Sequence, residues 1–208
     1  NWVAPHRFPA AGGDVGIFPV SRELAELGYD CQVYVVAYPL MNDFRPEQVR
    51  EYVQKHFGET AARYFRWEGT VREADATFAT FWPTAENVLA LPNGGERYYL
   101  VQDFEPSFYP DDPPHYQRAE ATYRAGFRGL TLGPWLAKLL RESYGAKADH
   151  FDFAVDPETY WPRPGLKSPQ RRVCFYARPG TPRRRHARSA RSPAGQFWRR
   201  NSQRRPPR

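Results

Sequence analysis

Several features that identify common protein classes are scarce or missing in this chain of 208 residues. It has two cysteines and no CxxC, HExxH, Ser-His-Asp or P-loop spacing, which argues against disulfide-scaffold, zinc-protease, hydrolase-triad and P-loop chemistry. No apolar run approaches the roughly 18–20 residues of a membrane span, and we expect no signal peptide before the first strand. Cys31 and Cys174 lie in hydrophobic segments. We therefore expect buried free thiols in a reducing compartment, the cytoplasm.

Acidic residues and lysine are absent from residue 171 onward, where thirteen arginines lie. The net charge of +7 belongs to this end, since the first 170 residues carry 17 basic and 23 acidic side chains. Residues 186–208 are rich in Arg, Pro and Ser without apolar periodicity, so we expect disorder. One interpretation is a nucleic-acid-binding adaptor, with Phe197 and Trp198 stacking on bases. We favour the other, a frameshifted or aberrant end of the protein, and expect no nucleic-acid partner.

What is present, over residues 97–156, is an alternation of strand and helix signals. A β-branched and aromatic run fills residues 97–104, and short buried strands are predicted over 128–133 and 148–155. Between them, helical spacing joins Tyr116, Ala119, Tyr123 and Phe127. A second helix begins at Pro134, has an apolar stripe and stops at Gly145; its stripe comprises Trp135, Leu136, Leu139 and Leu140. This alternation predicts an α/β fold, a Rossmann-like parallel sheet with helices on both faces.

The first part of the chain fits the same fold. Residues 1–5 and 31–36 are predicted strands, and the helix between them ends at Gly28 with an inward face of Ile17, Val20, Leu24 and Leu27. Further on we predict a helix within 44–57, a strand over 76–81 and a helix over 84–91 that Thr84 caps. We divide the chain into an N-terminal domain (1–156), a Pro-rich linker (157–170), the incomplete start of another domain (171–185) and the tail (186–208).

Several segments together resemble a known family. They are NWVAPH, DATFATFWPTAENVLALPN, RYYLVQDFEPSFYP, YRAGFRGLTLGPWLAKLLRESYG, ADHFDFAVD and RRVCFYARPGTPRR. Over residues 1–184 the chain resembles bacterial rhamnosyltransferases of glycosyltransferase family 4, of the WsaF type. The resemblance implies a GT-B enzyme, in which an N-terminal Rossmann-like domain holds the acceptor and a C-terminal domain binds the nucleotide-sugar.

The resemblance also implies an activity: transfer of a deoxyhexose, such as rhamnose from dTDP-rhamnose, to a growing polysaccharide. It implies a glycan acceptor, no metal or other cofactor, and peripheral association with the inner membrane face through the acceptor pathway. The remaining donor domain does not follow Arg185, so we expect this chain alone to be inactive. A non-catalytic sugar-binding module is the further alternative.

Charged candidates for the site come from both parts of the chain. By resemblance, Arg178 and Arg183 face the donor diphosphate, where a bidentate guanidinium suits the charge; simple solvated charges are the alternative. Asp103 and Glu105 follow the predicted strand over 97–104, so we place them at the cleft. Either carboxylate is a candidate acceptor ligand or catalytic base, and the alternative is a pair that caps backbone amides.

Uncharged candidates surround the same edge. The Gly12-Gly13 turn precedes a helix and is either a tight turn or a loop that faces a phosphate or sugar. His6 ends the first strand beside this turn, and Trp82 ends another strand; each is a candidate acceptor contact with a purely structural role as its alternative.

A paired-aspartate motif, Asp111-Asp112, superficially suggests a divalent metal. It lies in a proline-rich loop with no third ligand nearby in the sequence. We interpret it as a solvated turn and predict no metal site.

Overall fold

The fold is given by a computed structural model, which describes residues 1–6, 13–37, 44–152 and 161. Its strands are β1 (Trp2–Pro5), β2 (Gln32–Val36), β3 (Arg63–Arg66), β4 (Ala76–Ala79), β5 (Glu96–Val101), β6 (Arg128–Leu132) and β7 (Lys147–Phe151). Its α-helices are α1 (Asp14–Glu26), α2 (Pro46–Phe57), α3 (Trp82–Leu89), α4 (Pro113–Thr122) and α5 (Pro134–Tyr144), and a 3-10 helix spans Glu105–Phe108.

All seven strands form one parallel sheet in the order β3-β2-β1-β4-β5-β6-β7. This confirms the predicted α/β, Rossmann-like architecture. The chain builds outward from β1 to β3, then returns to the other side of β1 with β4. Such a reversal leaves a crevice at the carboxyl ends of β1 and β4, the place where open α/β sheets bind ligands.

The core lies on both faces of the sheet because successive strand residues point to opposite sides. Val3, Tyr99 and Val101 belong to one buried cluster, whereas Trp2 and Leu100 belong to another. All five are at most 2% exposed. Burial on both faces explains why these strands read as continuous apolar runs rather than as alternating ones.

Contacts between residues divide the described part of the chain into two units: one contains the described residues up to 105 together with 118–152, and the other contains residues 106–117. The first contains the sheet. In the described part of the second, His115 Nδ1 lies 2.8 Å from an Asp112 carboxylate oxygen, and the His115 ring stacks on Tyr109. The boundary predicted at residue 156 lies outside the described residues, and so do the segments predicted after it, apart from the single residue Trp161.

Several local predictions need correction. Leu27, predicted to face inward, is 74% exposed because α1 ends one residue before it. Trp135, assigned to the apolar stripe of α5, is 56% exposed, while Leu136 and Leu140 are buried. The helix that was predicted to begin at Thr84 begins two residues earlier, so Thr84 is not its cap.

Strand β3 was not predicted at all. Its sequence, RYFR, buries only Tyr64 and has an arginine at each end. It lies at the edge of the sheet, where charged ends discourage pairing with another chain. The predicted helix stops are confirmed: Gly28 and Gly145 follow α1 and α5 with φ of +93° and +65°.

Candidate functional site

The carboxyl edge of the sheet gathers the candidate residues that the structure describes. His6 follows β1, Trp82 begins the helix after β4, and Asp103 and Glu105 lie just beyond the end of β5. Gly13 precedes α1, the helix that follows β1. Three other candidates, Gly12, Arg178 and Arg183, lie outside the described residues, so their predicted roles remain predictions.

His6 is held between backbone and aromatic contacts. Its N–H donates to the Val36 carbonyl at 2.8 Å, which extends the β1–β2 pairing by one residue. Its ring stacks on Phe44 with 4.2 Å between centroids, and the Arg66 guanidinium lies 5.6 Å from the same Phe44 ring. Burial lowers the pKa of His6, so the imidazole is neutral at neutral pH. At 6% exposed, the side chain of His6 is largely removed from solvent.

The start of α1 is fastened to the end of β5 by Gln102. The Gln102 side-chain amide donates to the Gly13 carbonyl at 3.1 Å. A Cβ on Gly16 would lie 2.9 Å from Gln102 Cδ and even closer to its side-chain oxygen. Glycine at position 16 therefore lets the amide of Gln102 reach across the crevice. The sequence analysis had not singled out either residue.

An acidic residue occupies the first turn of α1. Asp14 is 5% exposed, and Tyr52 on α2 donates its hydroxyl to Asp14 Oδ2 at 3.1 Å. A carboxylate already complements the partial positive charge of a helix N-terminus. Of the two ligands proposed for the glycine turn, this arrangement favours a hydroxyl-rich sugar over a phosphate, because Asp14 would repel a second anion.

Glu105 turns into the protein. Its carboxylate oxygen Oε2 accepts hydrogen bonds from the Trp82 backbone N–H at 2.7 Å and from the Tyr99 hydroxyl at 2.8 Å. The Glu105 N–H donates to the Tyr123 hydroxyl at 3.0 Å, and the residue is 3% exposed. Trp82 is the first residue of α3, so its N–H is one of the donors that a helix leaves unsatisfied.

The electrostatic consequence falls on the two phenols. Burial, and next the nearby charge of Glu105, raise the pKa of Tyr99 well above its ordinary value and raise that of Tyr123 as well. Both hydroxyls therefore stay protonated at neutral pH, and that of Tyr99 donates to Glu105. Of the two alternatives for Glu105, this geometry favours the capping of a backbone amide.

Asp103 differs from its neighbour. It is only half-buried, and its Oδ1 accepts from the Phe104 N–H at 2.8 Å. That contact orients the carboxylate and leaves lone pairs for a ligand. Of the two predicted carboxylates, Asp103 has the arrangement that suits contact with a sugar hydroxyl.

Trp82 is 4% exposed and belongs to the core. The Arg118 guanidinium lies 5.0 Å from its ring centre, and Arg118 in turn holds Glu86 through bonds of 3.0 and 2.6 Å. The geometry favours the core assignment over stacking on a sugar.

Two features are absent from the described residues. Within the part of the chain that the structure describes, no three His, Cys, Asp or Glu side chains form a group able to hold a metal ion. No helix in those same ranges has both the length and the apolar character needed to cross a bilayer.

The sequence analysis missed three residues of this edge, Gln102, Asp14 and Tyr52. A signal existed for the first, since Gln102 directly follows the last strand residue of β5, where polar side chains reach the ligand edge. The Asp14–Tyr52 contact joins residues 38 positions apart and has no local signal.

Comparisons with known proteins gave one informative relationship. Neither a family model nor a solved structure matches the chain. The chain is 38% identical over 109 residues to the O-antigen biosynthesis protein RfbC of Myxococcus xanthus. The matched segment covers 52% of this chain but only 8% of that protein.

Proposed function

We propose that this chain supplies the acceptor-side domain of a glycosyltransferase that acts in polysaccharide biosynthesis. The observation that carries the proposal is the 38% identity to a protein named for O-antigen biosynthesis. The position of Gln102 and Asp103 at the carboxyl edge of a doubly wound sheet supports it, because that edge is where such sheets hold ligands.

The donor in this proposal is a nucleotide-activated deoxyhexose, dTDP-rhamnose being the first to test, as the sequence resemblance implies. Arg178 and Arg183 are proposed to neutralise the departing diphosphate, so that no metal is required. Turnover in a GT-B enzyme needs groups from both of its domains, whereas acceptor binding needs only the acceptor-side domain. Binding of an acceptor by this chain is therefore a more direct readout than turnover.

Asp103 is the proposed contact to the reacting acceptor hydroxyl. As base it would take the hydroxyl proton while the oxygen attacks the anomeric carbon and the bond to the nucleoside diphosphate breaks. Gln102 offers an amide to neighbouring hydroxyls. Glu105 is a positioning residue, which holds the loop after β5 against the start of α3.

The test compares Asp103→Asn with Asp149→Asn. Asp149 lies on β7, is exposed and pairs with Arg128, so its substitution makes the same chemical change away from the proposed site. We expect Asp103→Asn to weaken binding of rhamnose-containing oligosaccharides at least about tenfold, measured by calorimetry on the full chain. Asp149→Asn should leave it unchanged, and both variants should unfold within about 0.5 kcal/mol of the unsubstituted chain.

Other outcomes contradict the proposal in different ways. Equal binding by both variants would remove Asp103 from the site. Binding of neither oligosaccharide nor dTDP-rhamnose would argue against a sugar site altogether. Glycan binding with no donor consumption, even after a donor-side domain is supplied, would favour a non-catalytic sugar-binding module.

A further inference from the structure

A second concave surface lies at the opposite edge of the sheet, where β5, β6 and β7 begin. It is a pocket of about 370 Å³ between the loop after α4 and the loop after α5. The residues that carry the argument line it, namely Glu96, Arg97, Arg124, Arg128, Tyr144 and Lys147. None of them belongs to the proposed acceptor site.

The pocket has a surplus of positive charge. Four basic residues and one carboxylate, Glu96, line it. Helices α4 and α5 both end here, and each C-terminus contributes roughly half a negative charge. Asp149, which pairs with Arg128, reduces the surplus to two charges, and two such helix ends cancel only about one of these, so neutralising the helix termini does not account for all the cations.

Three of the four cations form no ion pair with any acidic residue that the structure describes. Arg128 lies 3.9 Å from Glu96 and 3.4 Å from Asp149. No carboxylate of the described residues forms an ion pair with Arg97, Arg124 or Lys147.

Two of the unpaired cations are nevertheless held in place. The Arg97 guanidinium donates to the Leu91 carbonyl at 3.1 Å. The Arg124 guanidinium lies 4.6 Å from the centre of the Tyr144 ring, and the Tyr144 hydroxyl donates to Glu120 at 3.1 Å. Guanidinium groups that are already oriented lose less conformational freedom when they bind an anion.

From the charge, the missing acidic partners and the fixed guanidinium groups, we propose that this pocket binds a phosphate or diphosphate group through Arg97 and Arg124. A guanidinium fork matches phosphate oxygens in geometry as well as in charge. Such a group reaches the pocket either on a soluble molecule or on a lipid headgroup, and the experiment below separates these sources.

The experiment titrates the full chain with pyrophosphate, following the arginine side-chain signals by NMR, and measures sedimentation with vesicles of phosphatidylglycerol or of phosphatidylcholine. The variants are Arg97→Gln, Arg124→Gln and Arg124→Lys. The control is Arg63→Gln, which removes the same charge from an exposed arginine on β3 that is paired with Asp30. Thermal unfolding of each variant shows whether it is folded.

We expect Arg97→Gln and Arg124→Gln to weaken pyrophosphate binding at least about tenfold, and Arg124→Lys to weaken it less, while Arg63→Gln has no effect. Alternatively, the chain sediments with phosphatidylglycerol vesicles but not with phosphatidylcholine vesicles, and loses this binding in Arg97→Gln and Arg124→Gln. That result would also support a phosphate site in the pocket, and it would identify a lipid headgroup as the source of the phosphate. Equal weakening in all variants including Arg63→Gln would overturn the proposal, since net charge alone would explain it. No saturable binding below about 1 mM of either probe would overturn it too.

If Arg97→Gln fails to fold because the hydrogen bond to the Leu91 carbonyl is lost, the two variants Arg124→Gln and Arg124→Lys still test whether the pocket binds phosphate. Arg124 is exposed and stacks on one ring, so its substitutions are not expected to unfold the chain. A folded Arg124→Gln variant that binds pyrophosphate as tightly as the unsubstituted chain would refute the role of Arg124.

Discussion

Replacing the buried carboxylate of Glu105 tests the account of the site most directly. In Glu105→Ala, the Trp82 N–H and the Tyr99 hydroxyl lose their common acceptor while both residues stay at most 4% exposed. A buried donor left without a partner costs about 1–3 kcal/mol. Two donors give an expected loss of about 3–5 kcal/mol, a large part of the roughly 5–15 kcal/mol that stabilises a typical domain.

Glu105→Gln separates the shape of the side chain from its charge. The glutamine oxygen accepts from the same donors, but the bonds are no longer charge-assisted, and the negative charge at the start of α3 is gone. We expect a loss of about 1–2 kcal/mol, clearly smaller than that of the alanine variant. The control is Glu51→Ala on the exposed face of α2, which should change the free energy of unfolding by no more than about 0.5 kcal/mol.

Urea unfolding followed by circular dichroism measures these differences, provided that the slope with denaturant is the same in all variants. A loss below about 1 kcal/mol for Glu105→Ala would refute the argument that this carboxylate satisfies two buried donors. If Glu105→Gln were as unstable as Glu105→Ala, charge rather than hydrogen-bonding geometry would be the stabilising factor.

Two other predictions concern the backbone and the response to alkali. Gly95→Ala should lower the free energy of unfolding by at least about 3 kcal/mol, because φ is +67° and a Cβ would overlap the carbonyl oxygens of Ala74 and Asp75 in the loop before β4. The control is Gly69→Ala, where φ is +85° but the Cβ would lie in open space, and it should cost about 1–2 kcal/mol in the same assay. Similar losses in the two variants would contradict the overlap. Burial raises the pKa of Tyr99 and Tyr123 in the folded state above the pKa of about 10 that tyrosine has in the unfolded chain. The contribution of the two phenols to the free energy of unfolding is therefore fully present below about pH 10 and is lost as the pH rises further. Phenolate absorbance should show both hydroxyls ionising only on unfolding, and Tyr99→Phe should make the free energy of unfolding fall less steeply with pH; an unchanged slope would contradict this.

Burial on both faces is what made most of the sheet predictable. Strands such as β5 show up in the sequence as apolar and aromatic runs, because neither face of the strand meets water. β3 has no such signal, since an edge strand with Arg63 and Arg66 at its ends resembles a loop in composition. The exposed Leu27 and Trp135 share one cause: both lie at helix ends, where an apolar residue can match the helical period without facing the core.

The site was predictable in its place but not in its contacts. That polar residues follow β5 at the ligand edge is a consequence of strand direction, which the sequence already indicated. That Glu105 lies against Trp82, 23 residues earlier, depends on how the loop after β5 folds back onto α3. The contact of Gln102 with Gly13, 89 residues away, likewise exists only once β1 and β5 share a sheet.

Asp103 and Glu105 look equivalent in the sequence, but the path of the chain after β5 gives their carboxylates different environments. Strand pairing ends at Val101, and Asp103 follows in a loop where its side chain stays half-buried. The 3-10 helix begins at Glu105 and directs that carboxylate inward to a helix N-terminus. Loss of sugar binding in a Glu105 variant would therefore report a displaced loop, whereas loss in Asp103→Asn with unchanged stability would report a lost contact. Only the comparison of binding with unfolding free energy in both variants assigns the chemistry to one carboxylate.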